Sequence, residues 1–429
     1  MKEINRSRLF NASSVALVVT ALTFAIRANL LGTLASEFNL SPQEIGEVSS
    51  AAFWGFTLAM FIGGPICDII GMKRMFHIAF IGHLTGIVLT IYSTGYWSLF
   101  FSTLLVGIGN GFVESASYAM VSSMYNNEKA RKINDWHIWF PAGIVIGGWA
   151  AYLLTMAGAG WKVQVLIMIL PTLLYGYMFY GQQFPVSERV NNGVSDREMV
   201  RECFRPLFLF MLVCMLLTAA TELGTNQWIA ELLSTVGVPS ILLLVFINGV
   251  MTLGRANAGF ILKRISTTGL LLFSAIFSFV GLLWLSYAEG YISFAAAGVF
   301  ALGVCFFWPT MIGFVSEHLP KTGPLGMSLM GGVGLLSTSL ILPVFGMVYE
   351  NQLAQAGASF SDLEALKNAV GNSAEALQWS QVKLFAGANT LRLVSILPAA
   401  LIIGFAGLRA LRKKKKVKES SSNVRFATE

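Results

Sequence analysis

The sequence predicts an all-α membrane protein whose twelve transmembrane helices form two pseudo-symmetric bundles of six. The 429-residue chain is 55% hydrophobic and only 12% charged, which is about half the charge of a typical soluble protein. Apolar runs of about twenty residues, the length that crosses a bilayer, recur along the whole chain. These runs are continuous and do not alternate with a period of two, so they predict helices and exclude a barrel of strands.

Twelve such runs can be counted, and they are numbered below as spans 1 to 12. The first six lie at 11–36, 43–70, 75–94, 97–125, 133–157 and 162–184, and the second six at 204–233, 238–262, 268–288, 290–318, 323–350 and 382–411. The expected organisation is a first bundle over 1–184, a central loop over 185–203, a second bundle over 204–411 and a basic tail over 412–429. The N-terminus runs into an apolar stretch too long for a cleavable signal, so span 1 is expected to be retained.

The distribution of Lys and Arg predicts the orientation. With both termini in the cytoplasm, 23 of the 29 Lys and Arg residues fall in cytoplasmic segments, and only Lys162, Lys367 and Lys383 fall on the other side. This asymmetry is the one that membrane helices obey. We therefore expect a multi-pass monomer in the lipid bilayer of a bacterial inner membrane. The long extracytoplasmic connection over 351–381 is interpreted as a surface loop, with a lid over the outer mouth as the alternative.

Several classes of function are not expected. The formal net charge is +7, but the cations lie in short loops and in the tail, so nucleic acid is not an expected partner. The four cysteines lie in spans or at their cytoplasmic ends, which argues against a disulfide framework. The sequence has no metal-ligand spacing, phosphate loop or nucleophile motif, so we expect neither an enzyme nor a cofactor. Any energy must then come from an ion gradient.

The stretch Gly63-Gly-Pro-Ile-Cys-Asp-Ile-Ile-Gly-Met-Lys-Arg74 joins spans 2 and 3. Lys73 and Arg74 are expected at the anionic cytoplasmic surface, and Asp68 is placed to accept hydrogen bonds from a neighbouring helix end. Gly64 would let that helix approach closely, and Gly71 would permit the turn. A second glycine-to-lysine spacing of nine residues, Gly254 to Lys263, follows span 8 and contains Arg255. Such duplication is typical of transporters with a solute site between two halves.

These features together resemble the major facilitator superfamily over almost the whole chain. The residues that carry the resemblance are the Gly64-x-x-x-Asp68-x-x-Gly71-x-Lys73-Arg74 pattern, its copy, the twelve spans and the central loop. The family often has a cation where Met72 stands. The resemblance implies transport by alternating access, with Asp68, Gly71, Lys73, Arg74 and Arg255 as gating residues. Asp68 is expected to dock against the end of span 11 when the protein is open to the outside.

Three groups within the superfamily can be compared. Asn110-Gly-Phe-Val-Glu114, Pro309-Thr-Met-Ile-Gly and Met330-Gly-Gly-Val-Gly334 are similar to the sugar–proton symporters of the fucose permease group. Phe24-Ala-Ile-Arg27-Ala-Asn29 resembles the organic-anion symporters more weakly, since Ile26 replaces their aspartate. The Gly-Pro pair of the efflux antiporters is absent from span 5. The resemblance therefore favours uptake over export.

Ionisable residues inside spans are costly and indicate function. Arg27 and Glu222 lie at a similar depth in spans 1 and 7, where each is a predicted solute ligand, and the alternative is that they pair with each other. Glu114 lies near the middle of span 4, where desolvation favours a protonated carboxyl, so it is the predicted proton-coupling site together with Glu222. For Glu114, the alternative is a permanent hydrogen bond to a backbone carbonyl.

Amide and aromatic side chains near these residues suit a sugar-sized solute, because amides both donate and accept hydrogen bonds. For each of them, packing between helices is the alternative role. The further predicted solute ligands are Asn29, Asn110, Tyr118, Asn226, Gln227, Trp228, Asn248 and Trp308. Gly224 is expected to break span 7 and free backbone groups there. His137 is expected to orient the loop after span 4.

We expect a secondary active transporter that takes up a sugar or sugar-derived acid with a proton. Sodium is the alternative coupling ion, because carboxylate and amide oxygens would also serve it. An organic-anion symporter or an efflux antiporter of the same fold is the alternative function. A membrane enzyme or a receptor is not expected, since neither clustered catalytic groups nor a large soluble domain is present.

Overall fold

The computed structural model describes residues 4–40, 42–125, 129–186, 196–262, 264–358, 366 and 373–426. All regular structure in these ranges is helical, and eleven helices within them are long and apolar enough to cross a membrane. Ser240–Ala256, the helix of span 8, is apolar but shorter. The predicted fold class of twelve spans is confirmed.

The first bundle contains spans 1 to 6. Its helices are Arg6–Glu37, Pro42–Ile70, Met72–Ile91, Tyr96–Met124, Lys129–His137 with Trp139–Met156 for span 5, and Trp161–Leu166 with Ile169–Phe179 for span 6. The helix Asp196–Cys203 follows in the central segment. The charged stretch before it, over 187–195, lies outside the described residues.

The second bundle contains spans 7 to 12. Span 7 consists of Pro206–Ala219, a π-helix over Ala220–Gly224, and Thr225–Leu232. The other helices are Ser240–Ala256 with Ala258–Leu262, Thr267–Leu285, Ile292–Val304 with Phe307–His318, Gly323–Gly357, and Ala374–Val394 with Ile396–Phe426. Spans 11 and 12 thus extend into the connection predicted over 351–381, and the rest of that connection, apart from Ala358, Leu366 and Ser373, lies outside the described residues.

Prolines explain why several spans are divided. A proline cannot donate to the carbonyl four residues before it, and its ring pushes that turn apart. Spans 5, 6, 10 and 12 are each interrupted three to five residues before a proline, at Pro141, Pro171, Pro309 and Pro398. The interruptions in spans 5 and 10 position side chains of the site described below.

The two bundles meet through span 2 against span 11 and span 5 against span 8. Glycines permit the close approach: a Cβ at Gly64 would lie 3.0 Å from the Ser328 hydroxyl, and one at Gly148 would lie 2.6 Å from a Val245 methyl. The neighbour predicted for Gly64 is therefore span 11. Gly71 has a φ of 81°, a region that favours glycine, so the predicted turn is confirmed. The side chain of Asp68 lies outside the described part of the structure, and its docking stays a prediction.

The central segment is tied to the connection between spans 10 and 11. Lys321 Nζ donates a hydrogen bond to Glu198 Oε1 at 2.7 Å, and both side chains are exposed. This hydrogen bond and the attraction between the charges lower the pKa of Glu198 and raise the pKa of Lys321. The ion pair is therefore present at neutral pH and is lost when the pH falls below the lowered pKa of Glu198.

The contact at Gly64 gives a first testable prediction. Gly64→Val should separate spans 2 and 11 on the predicted cytoplasmic side, because the added methyl groups would overlap Ser328. Spin labels at the exposed Arg74 and Glu317 should report a longer distance. Gly46→Val is the matched control, since Gly46 lies in the same helix and its Cβ would meet nothing within 4 Å. An unchanged distance in Gly64→Val would contradict the proposed role of this contact.

Candidate functional site

Glu222 and Arg255 form a buried ion pair inside the second bundle. Arg255 Nη2 donates to Glu222 Oε1 at 3.0 Å, and the two side chains are only 2% and 4% exposed. Glu222 lies in the π-helix Ala220–Gly224. Such a turn is uncommon and often marks a functional site, because it redirects the side chains around it. The predicted break of span 7 at Gly224 is thus a π-helix that ends there.

Span 10 supplies a second partner for Arg255. Arg255 Nε donates to the carbonyl of Cys305 at 2.9 Å. That carbonyl lies four residues before Pro309, which has no N–H to donate to it. The proline thus frees an acceptor for the guanidinium.

The position of Arg255 bears on two expectations. The sequence grouped Arg255 with the gating residues, and its side chain is buried among spans 7, 8 and 10; the gating role stays a prediction. The alternative pairing of Arg27 with Glu222 is wrong in this conformation, because Glu222 pairs with Arg255.

Glu114, Tyr118 and His137 form a hydrogen-bonded triad in the first bundle. The Tyr118 hydroxyl lies 2.6 Å from Glu114 Oε1 and 2.6 Å from His137 Nε2. His137 Nε2 also lies 3.4 Å from Glu114 Oε1. All three side chains are buried. Glu114 and Tyr118 are one turn apart in span 4, and His137 ends the first helix of span 5, four residues before Pro141.

Trp308 connects this triad to the second bundle. Its indole Nε1 donates to the Tyr118 hydroxyl at 3.3 Å, so a hydrogen bond joins spans 4 and 10 across the interface. Arg255 is near enough to act electrostatically on both Tyr118 and His137. The Trp136 ring packs edge-on against Tyr118, with centroids 5.6 Å apart. The triad of the first bundle therefore faces the ion pair of the second.

Arg27 lies apart from these groups, among aromatic rings. Its guanidinium carbon is 5.2 Å from the ring centroid of Phe24 and 5.4 Å from that of Phe53. Its Nε and Nη2 atoms are buried and have no hydrogen-bond partner among the described residues. A cavity of about 50 Å³ beside it is lined by spans 1, 2, 3, 4 and 6. That volume is well below a sugar-sized pocket of a few hundred Å³, so a solute enters there only after rearrangement.

Two predicted ligands take part in contacts within the first bundle. Asn110 accepts from His83 at 2.8 Å and donates to Thr23 at 3.1 Å, while His83 Nδ1 lies 3.1 Å from the Tyr175 hydroxyl. Asn29 donates to Gln164 at 3.0 Å. These bonds hold spans 1, 3, 4 and 6 together, which is the packing role that the sequence left open.

In span 7, by contrast, several side chains have buried polar atoms that no neighbouring group satisfies among the described residues. Glu222 Oε2, Thr225 Oγ1 and Asn226 Oδ1 are buried and have no hydrogen-bond partner among the described residues. They are spaced by three and four positions, so they lie on one side of the helix. The half-buried Trp228 packs edge-on against Tyr349 at 6.2 Å, and Gln227 is also half-buried. Asn248 donates to the Leu244 carbonyl of its own helix at 2.9 Å.

Sequence reasoning missed the contacts of His137 with Tyr118 and Glu114, and expected it to orient the loop after span 4. Its partner Tyr118 is 19 residues away on another helix, so no local spacing connects the two. Pro141 is a signal that could have helped. A proline four residues after a histidine in an apolar span indicates an interrupted helix, where a polar side chain can turn inwards.

The comparisons with known proteins agree with this architecture. The family model described as Major Facilitator Superfamily matches residues 13–359. A protein TsgA homolog of Buchnera aphidicola is 22% identical over 46% of this chain and 52% of its own length. A gentisate transporter of Corynebacterium glutamicum is 22% identical over 48% of this chain and 49% of its own. The chain thus spans about half the length of these curated relatives.

Solved structures show the same fold. A bacterial homolog of the human lysosomal transporter Spinster, in an inward-facing and unoccupied conformation, superposes with a TM-score of 0.74 at 13% identity over 94% of this chain and 97% of that chain. The fucose:proton symporter of Escherichia coli superposes with a TM-score of 0.61 at 13% identity, covering 91% and 99%. With the family model matching most of the sequence, this chain belongs to the major facilitator superfamily.

Proposed function

We propose that this protein takes up a sugar or a sugar-derived acid together with a proton, by alternating access across a bacterial inner membrane. The observation that carries the proposal is the buried Glu114–Tyr118–His137 triad, which is hydrogen-bonded to Trp308 across the two bundles. A change in the protonation state of this carboxyl must change the hydrogen bonds within the triad. Tyr118 is also the residue that Trp308 contacts from the other bundle, so protonation acts on a residue that lies at the contact between the bundles.

The oxygens of span 7 support a solute rich in hydroxyl groups. Glu222 Oε2, Thr225 Oγ1 and Asn226 Oδ1 accept hydrogen bonds, and sugar hydroxyls donate them. Trp228 offers a partly accessible indole beside these oxygens. Fucose and xylose symporters are among the proteins with this fold.

Organic-anion symport is the second candidate, and Arg27 favours it. The guanidinium has two buried nitrogens without a partner among the described residues, and carboxylates match its fork of donors. The likeness to a gentisate transporter points the same way. A sugar-derived acid would satisfy both observations, since it carries hydroxyls for span 7 and a carboxylate for Arg27.

Uptake by purified protein in liposomes tests the proposal. The solutes would be L-fucose, D-xylose, D-glucuronate and gentisate, with the pH gradient and the sodium gradient imposed separately. We expect accumulation of a sugar or a sugar acid that is driven by the pH gradient. Accumulation driven only by sodium would overturn the proton coupling, and accumulation of gentisate alone would favour the organic-anion function.

Arg27→Gln tests the role of the guanidinium. We expect the KM for a transported acid to rise about 10- to 100-fold, because a hydrogen bond to a charged group contributes about 1.5–3 kcal/mol. Arg392→Gln is the matched control, since Arg392 also lies in a span but is hydrogen-bonded to Asn389 at 3.0 Å. An unchanged KM in Arg27→Gln would remove Arg27 from the solute site.

A further inference from the structure

We propose that Tyr118 and His137 form a proton relay that carries the proton from Glu114 to the predicted cytoplasmic side. The inference rests on the proposed proton coupling and adds the route by which the proton leaves. It assigns a direct role to His137 and makes Tyr118 a relay residue rather than a solute ligand.

Counting the hydrogen-bond donors and acceptors at Tyr118 defines the first of two protonation states of the relay. The hydroxyl has one proton and two lone pairs, and it has three neighbours: Glu114, His137 and Trp308. Trp308 Nε1 can only donate, so it takes one lone pair. If Glu114 is a carboxylate, it takes the Tyr118 proton, and the second lone pair must accept from an Nε2–H of His137.

The other state follows when Glu114 is protonated. The carboxyl O–H then donates to the Tyr118 oxygen, and Tyr118 donates its own proton to His137 Nε2. His137 must now be the tautomer that carries its proton on Nδ1. The two states differ in the direction of the Tyr118–Glu114 hydrogen bond and of the Tyr118–His137 hydrogen bond. Trp308 donates to Tyr118 in both states.

Moving between these states releases one proton. The Glu114 O–H bond breaks as its proton joins the Tyr118 oxygen, and the former Tyr118 proton forms the Nε2–H bond of His137. The Nδ1–H bond then breaks, and water takes up that proton. Glu114 ends as a carboxylate, and Tyr118 and His137 end neutral. The relay is reset when the next proton binds to Glu114, while Nδ1 takes up a proton from water and Nε2 gives its proton up to water. The imidazole then again carries one proton, on Nδ1.

The surroundings of His137 give the relay an exit. His137 Nδ1 is buried and has no hydrogen-bond partner among the described residues, so it can release or bind a proton without breaking another contact. Its helix, Lys129–His137, packs against spans 8 and 10 on the predicted cytoplasmic side. Asp135, two residues earlier, is 39% exposed and pairs with Lys132. Separation of this helix from spans 8 and 10 would therefore bring water to Nδ1.

Charged groups of both signs surround His137. Glu114 and Tyr118 face it from span 4, and Arg255, paired with Glu222, acts on it from across the interface. Because these charges oppose one another, the direction of proton transfer depends on whether water reaches Nδ1.

The first test follows the tautomer of His137 and needs no solute. The purified protein would be labelled with 15N-histidine, and the His137 signal would be identified by its loss in His137→Gln. We expect a switch from Nε2–H to Nδ1–H as Glu114 becomes protonated on lowering the pH. In Glu114→Gln this switch should be absent. A single tautomer over the whole range, or a switch that persists in Glu114→Gln, would overturn the relay.

The second test compares accumulation with exchange, using the four solutes named above. Accumulation driven by the pH gradient should fall about tenfold or more in His137→Gln and in Tyr118→Phe, because proton transfer by a positioned side chain commonly contributes at least that much. Exchange of solute at equal pH needs no net proton transfer, so it should fall much less than accumulation does in both variants. His77→Gln is the matched control, since His77 is exposed in span 3.

The outcomes separate the relay from the proposed function. Normal accumulation in both variants would overturn the relay and leave proton symport standing. If the unaltered protein shows no accumulation driven by the pH gradient, the proposed function fails, and the tautomer measurement still decides whether the relay exists. Equal loss of exchange and accumulation in both variants would assign a structural role to these residues and overturn the relay.

Discussion

The Glu114→Gln variant is expected to lose accumulation driven by a pH gradient while it still exchanges solute. Glutamine keeps an oxygen that can accept from Tyr118, but it cannot bind and release a proton. We expect accumulation to fall about 100-fold, in line with the loss of a positioned acid–base group. Uptake and exchange by the same liposome preparation would be compared.

Glu231→Gln is the control for this variant. Glu231 also lies on a span, but its side chain is 48% exposed and pairs with Lys383 at 3.0 Å. It should therefore change accumulation little. Full accumulation by Glu114→Gln would show that the proton is carried elsewhere, with Glu222 as the next residue to change.

Removing one member of the Arg255–Glu222 pair should destabilise the protein strongly. Arg255→Gln leaves the carboxylate of Glu222 buried in the second bundle without its cation, and breaking such a pair commonly costs about 3–5 kcal/mol. The double variant Glu222→Gln, Arg255→Gln should recover much of that loss, because no charge is then left unpaired. Unfolding in detergent would be measured for both single variants and the double variant.

The exposed pair Lys383–Glu231 provides the comparison. Its side chains are 23% and 48% exposed, and exposed pairs commonly contribute about 1 kcal/mol or less. Lys383→Gln should therefore have a small effect on stability. Strictly additive effects of the Glu222 and Arg255 substitutions would mean that the two residues do not stabilise each other.

The spans could be predicted because crossing a bilayer requires a long apolar run whatever its neighbours are. Each predicted boundary of span 4 lies within one residue of the helix Tyr96–Met124. The interruptions could not be predicted in the same way, because a proline inside a helix sometimes only bends it. Pro65 and Pro343 both lie inside continuous helices.

The site was harder to predict than the spans, because its contacts join residues from different helices. Glu114 stands out in the sequence as a carboxyl in an apolar run, yet its partner His137 belongs to another span. Arg255 was grouped with the gating residues because its surroundings repeat the pattern after span 2. Only the packing of spans 7, 8 and 10 shows that its side chain turns inwards to Glu222.

The hydrogen bond from Trp308 to Tyr118 bears on how a symporter returns after it has delivered its cargo. An empty carrier must close again without burying an oxygen that has no hydrogen-bond donor. Such an oxygen would raise the free-energy barrier to the return step. The indole N–H occupies a lone pair of Tyr118 when the bundles meet, and water can take that place when they part. The Tyr118 oxygen then has a donor in both arrangements, so the empty carrier closes without an unsatisfied oxygen at the contact.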